Sequence, residues 1–128
     1  MTNLKKKPED LLPLTPAVFH ILLALLDRER HGYAIMQEVA ENSGGKIQMG
    51  PGTLYGSIKR MLAADLIEES DERPDPELDD ERRRYYRLSD IGRKVLSMEV
   101  DRLNHVVQVA RLKKLADETS KRLEAGVS

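Results

Sequence analysis

The chain has 128 residues, a net charge of −1 with 34% charged residues, and no cysteine. It has room for one domain with a real core, and it cannot form a disulfide framework or a thiolate metal site. His20, His31 and His105 lack metal-ligand spacing, and the longest unbroken apolar stretch, residues 21–26, is far below the roughly 20 residues of a membrane span. Lys5, Lys6 and Lys7 have no apolar segment behind them, so no secretory signal is expected and a cytoplasmic location is.

Residues 1–13, basic and interrupted by prolines, read as a flexible tail. Thr15-Pro16 supplies an N-cap followed by proline at the first helical position. The run over residues 17–26 is apolar nearly all round. Such a helix must bury more than one face, with Phe19 and Leu23 assigned to a second chain. Asp27-Arg28-Glu29-Arg30 ends it. A second helix is expected from Gly32 to Asn42, with Ile35, Met36 and Val39 inward, and Ser43-Gly44-Gly45 stops it. Lys46-Ile47-Gln48 is a short extended piece. Gly50-Pro51 opens a third helix with Leu54, Ile58, Met61 and Leu62 at i, i+4, i+7 and i+8. Thr53, Gly56, Ser57, Lys59 and Arg60 are left off its core face.

Two strand candidates follow, residues 66–69 and 84–88. The linker between them is too polar to bury, and seven of its residues 71–81 are acidic. That segment nets −6, so the rest of the chain carries +5, the balance that matters to a phosphate-facing surface. Ser89 caps a last helix predicted to reach Leu123, and residues 124–128 are a tail. The order is that of a mainly α (α+β) fold, a winged helix-turn-helix over residues 14–88 with an appended helix over 89–123. Along that helix Leu96, Val100, Leu103, Val107 and Ala110 repeat at spacings of four and three, a coiled-coil seam. Val95, Met98, Val106, Val109 and Leu112 widen it. About 30 helical residues span about 45 Å, more than a small three-helix core covers, so a homodimer is expected.

The third helix and its approach, residues 49–62, suit a DNA recognition helix. Its N-terminus offers free N–H groups and a positive dipole end. Gly50 and Gly52 admit a close backbone approach. Thr53, Tyr55 and Ser57 supply hydroxyls, and Lys59 and Arg60 supply charge. The second helix of a helix-turn-helix lies in the major groove. An ordinary solvated face fits the same side chains, and composition alone weighs the two evenly. A dinucleotide loop is excluded, because the third glycine falls at 56 where the fingerprint needs 55, and there is no βαβ frame. No set of nucleophile, base and orienting group points to an enzyme. Elsewhere, Tyr86 and Leu88 are expected in the core, and Tyr33 as a packing residue. His20 is expected to be a satisfied interface histidine, and Gly92 a close-packing position.

Four blocks then become specific: His31-Gly32-Tyr33-Ala34-Ile35, Pro51-Gly52-Thr53-Leu54-Tyr55, Leu66-Ile67, and the run from Tyr86 to Gly92. In order and at these separations they resemble the signature of the PadR family of transcriptional regulators, over roughly residues 14–112. The resemblance implies a winged helix and a dimer held by the C-terminal helix with help from the first. It also implies double-stranded DNA with a palindromic operator as partner, and release by a small effector. A repressor without a cofactor is the expectation, of the subtype with a single short C-terminal helix. Two features depart from the family pattern. Gly56 and Gly50 stand where proline and Ser or Thr are usual, and a helix-interior glycine costs about 1 kcal/mol against alanine. The wing is acidic rather than basic, which leaves Arg82, Arg83 and Arg84 at its base as the phosphate candidates. The alternative reading is a winged helix that docks a protein partner through the acidic wing.

Overall fold

In the computed structural model, which describes residues 7–70 and 84–113, α1 (Pro16–Ala24) starts on the chemistry of its first two residues. Thr15 Oγ1 accepts from the Val18 N–H at 3.2 Å, and Pro16 occupies the first helical position, where a missing N–H costs nothing. The helix stops two residues before its apolar run does. Arg30, buried, donates through Nε to the Ala24 carbonyl at 2.7 Å and satisfies one of the orphan acceptors of that terminus. Arg30 begins β1 (Arg30–His31). His31 then caps α2 (Gly32–Asn42), its Nδ1 accepting from the Ala34 N–H at 3.1 Å.

From its Gly50 cap, α3 (Pro51–Ala63) runs into a tight reversal at Asp65, whose φ of 62° is left-handed. The Leu66 N–H returns to the Met61 carbonyl at 2.9 Å. β2 (Ile67–Glu69) and β3 (Tyr85–Leu88) follow, and α4 (Asp90–Leu112) starts at Ser89, whose Oγ accepts from the Gly92 N–H at 2.9 Å. The sheet is antiparallel in the order β1-β3-β2. Arg30 faces Tyr86, and Ile67, Glu68 and Glu69 face Leu88, Arg87 and Tyr86. All four helices and the sheet meet in one core that contains Ile21, Leu22, Ile35, Val39, Leu54, Met61, Tyr86 and Val95. The class, the four helices, the two wing strands and the core positions of Tyr86 and Leu88 agree with the sequence reading. Gly92 is a close-packing position: a Cβ there would overlap the Leu66 carbonyl.

Two expectations need correction. The remaining strand is β1, before α2, and not residues 46–48. The Ile47 N–H is taken at 2.9 Å by Ser43 Oγ, which closes that stretch into a turn. Part of the segment expected to be a tail, within residues 8–12, also packs on the domain. Pro8–Leu11 forms a 3-10 turn, Leu11, Leu12 and Leu14 rest on the core, and the Leu14 N–H is bound to the Glu99 carboxylate at 2.8 Å. α4 ends at Leu112 with Lys113 as its C-cap; the acidic linker, Arg82, Arg83 and the remainder of the expected 89–123 helix, from residue 114, lie outside the described residues.

Candidate nucleic-acid interface

Helix α3 presents two chemistries. Inward, Leu54, Ile58 and Met61 are fully buried, so the helix cannot roll about its axis without opening the core. Outward, Gly52 and Thr53 are exposed in the first turn, and Lys59 and Arg60 two turns on. A Cβ at Gly50 or Gly52 would meet nothing within 4 Å among the described residues. The opening of the helix is therefore bare backbone that a phosphate or base edge can approach closely.

Two residues of the expected site, and Tyr33 outside it, are placed differently. Ser57 is buried, because 54, 57, 58 and 61 form one stripe. Its Oγ accepts from Arg60 Nη2 at 3.3 Å, so it orients the arginine and is not itself presented outward. Tyr55 is half-buried and lies against α2, where a Cβ on Gly32 would overlap its hydroxyl. Glycine at 32 makes room for this ring, so the phenol is an inter-helix contact. Tyr33, expected to pack, is 60% exposed, because the inward stripe of α2 is Gly32, Ile35 and Val39 and position 33 falls about 100° away.

At the wing base every described arginine has an acidic partner. Arg84 Nη1 lies 3.5 Å from Glu69. Arg87 lies 2.9 Å from Glu68, directly opposite on β2, and 3.7 Å from Glu29. Ser70 Oγ donates to Glu29 at 2.9 Å.

The expected dimer seam divides along α4. Leu96 is buried in its own domain, so it is core and not seam. Val100, Leu103 and Val107 are 44%, 38% and 45% exposed, Ala110 is half-buried, and Phe19 and Leu23 on α1 are half-buried. His20 meets Phe19 edge-on at 5.3 Å, and its Nδ1 is buried with no hydrogen-bond partner among the described residues of the single chain.

Glu99 escaped sequence reasoning. It is 2% exposed and is held by Arg102 as well as by the Leu14 N–H. The Arg102 hydrogen bond, opposed by burial and aided by Leu14, holds its carboxyl below the ordinary value. The signal was present, because position 99 is i+3 and i+4 from Leu96 and Val95 on the inward face. No helix among the described residues is long and apolar enough to cross a membrane.

Compared with known proteins, residues 21–98 match the transcriptional regulator PadR-like family. An uncharacterized 37.1 kDa protein of transposon TN4556 from Streptomyces fradiae is 35% identical over 79 residues, which cover 62% of this chain but only 20% of that protein. A PadR family transcription regulator from Clostridium difficile has the same fold, with a TM-score of 0.64 and 23% identity over 77% of this chain and 97% of that one. Bacillus subtilis PadR, solved in complex with operator DNA, matches with a TM-score of 0.58 and 22% identity over 69% of this chain and 47% of that one.

Proposed function

The chain belongs to the PadR-like family of transcriptional regulators, and on that premise we propose that it binds a palindromic double-stranded DNA operator as a homodimer and represses transcription by occupying it. One observation carries the reading. α3 follows α2 as a second helix locked by its apolar stripe, and its outward face is a bare glycine opening followed by Lys59 and Arg60. Such a face suits a major groove, with Gly52 and Thr53 nearest the base edges and the two cations on phosphate or guanine. Support for the dimer comes from Val100, Leu103, Val106 and Val107, an apolar strip that one chain leaves in water. A two-fold pair sets two α3 helices in successive grooves, so the operator is an inverted repeat with half-sites about 10 or 20 base pairs apart. An effector that favours a different spacing of the two reading heads would release the DNA.

Footprinting on the DNA upstream of the chain's own coding sequence tests this. A dyad-symmetric footprint is expected, with Lys59→Ala lowering the slope of log affinity against log salt by about two per dimer, since each lost phosphate contact removes about 0.9. A footprint without dyad symmetry, or a slope untouched by both Lys59→Ala and Arg60→Ala, means that α3 is not the reading head.

A further inference from the structure

Four ion-paired arginines among the described residues fall into two groups. Arg30 and Arg102 are pinned by buried partners, the Ala24 carbonyl and the Glu99 carboxylate, and leaving them would strand those groups. Arg84 and Arg87 are paired differently. Both are about two-fifths exposed, and their partners Glu69, Glu68 and Glu29 are all partly open to water. Exposed pairs of this kind contribute little each and exchange readily. They belong to the same sheet as β2, which follows α3 through the reversal at Asp65. The cluster of Glu29, Glu68, Glu69, Arg84 and Arg87 has three acids to two bases, while Arg82 and Arg83 lie outside the described residues.

We propose that the base of the wing is a carboxylate-competed phosphate contact: Glu68, Glu69 and Glu29 hold Arg84 and Arg87 until DNA phosphate displaces them. The proposal rests on the DNA-binding reading and adds a regulation of its strength. On a random duplex, where α3 makes few base contacts, the carboxylates keep the arginines and binding stays weak. On an operator, the register fixed by α3 holds phosphates within reach of both arginines, and the exchange occurs. The carboxylates therefore act as a filter against non-specific DNA. The exchange also leaves a trace in salt dependence. An arginine moving to phosphate releases a counterion from DNA, while the vacated carboxylate takes up a cation, so the net release is smaller than the number of contacts.

The test uses the full chain and a fluorescently labelled 30-base-pair duplex of mixed sequence, titrated by anisotropy at several salt concentrations. Glu68→Gln with Glu69→Gln should raise affinity about three- to twentyfold for each protomer that contacts the duplex, two exposed pairs per chain each being worth up to a factor of about five. It should also steepen the salt slope by up to about 0.9 for each freed arginine. The gain should vanish when Arg84→Gln and Arg87→Gln are added, because no arginine then remains to be freed. An unchanged affinity overturns the proposal. So does a gain that persists without the arginines, or an equal gain from Asp101→Asn on α4, since either means that the carboxylates act only as bulk charge. If the folded wild-type chain shows no salt-dependent binding to any duplex, the DNA reading fails with it, an outcome distinct from wild-type binding that the glutamine changes leave untouched.

Discussion

Helices α3 and α4 each commit one stripe to the shared core, Leu54, Ile58 and Met61 from the first, Val95 and Leu96 from the second. Their outer faces then diverge. α3 turns Thr53, Lys59 and Arg60 to water, while α4, past its first turns, turns out Val100, Leu103, Val106 and Val107. A polar, cationic face is stable in water and gains when a polyanion meets it. An apolar face of this extent loses free energy for as long as it stays wet, at about 25 cal/mol for each Å². The lesson is that the inner stripe of each helix explains the fold, and the outer stripe is where the proposed function puts its partners: nucleic acid at α3, a second copy at α4.

The largest effect that could break this contrast is at α4. Leu103→Asp with Val107→Asp should turn a dimer into a monomer, because each unpaired charge buried at an interface costs about 3–5 kcal/mol. Sedimentation at tens of micromolar reads it, and a wild-type monomer there would mean that the apolar face has no second copy to meet. Next in size is Leu96→Ala, one turn before Val100 yet on the inner stripe. It should lower unfolding stability by about 2–5 kcal/mol and leave the oligomeric state intact. If it dissociates the dimer without a loss in denaturant midpoint, Leu96 belongs to the seam after all.

A smaller loss is expected for Glu99→Gln, which keeps an acceptor for Leu14 but gives up the charge that holds Arg102. The carboxyl titrates below its ordinary value of 4.5 in the folded chain, so its contribution is complete above that value and is lost as the pH falls through the lower native one. Wild type and variant should therefore differ at pH 6 and converge in acid. Urea midpoints across pH 3–7 check this, and a gap that stays constant into acid would show that the ionised carboxylate contributes nothing. The smallest effect sharpens the α3 side. A Cβ at Gly56 would meet only Arg60 Nη1, at 3.6 Å, so Gly56→Ala should stabilise the chain by about 1 kcal/mol. A thermal melt measures that gain. If duplex affinity falls while stability rises, the glycine is kept for the approach of DNA and not for the fold.

What the sequence determined by itself is what closes within a few residues. Thr15 and Ser89 start helices because the capping side chain satisfies an N–H three positions away, and Pro51 because its fixed φ suits the first helical position. The spacing of Leu54, Ile58 and Met61 marks an inner face for the same local reason, and four short blocks were enough to mark the family. Tertiary structure alone decided the rest. β1 is two residues long and has no periodicity to read; it is a strand because Tyr85 and Tyr86 lie beside it. Leu96 and Ser57 are inside because neighbouring elements happen to cover those edges of α4 and α3, and helical spacing leaves the width of a buried stripe open. Gly32 is needed because Tyr55 arrives from another helix. Leu14 is held by a carboxylate 85 residues away, a contact that no local pattern encodes, because its two halves meet only once the chain between them has folded.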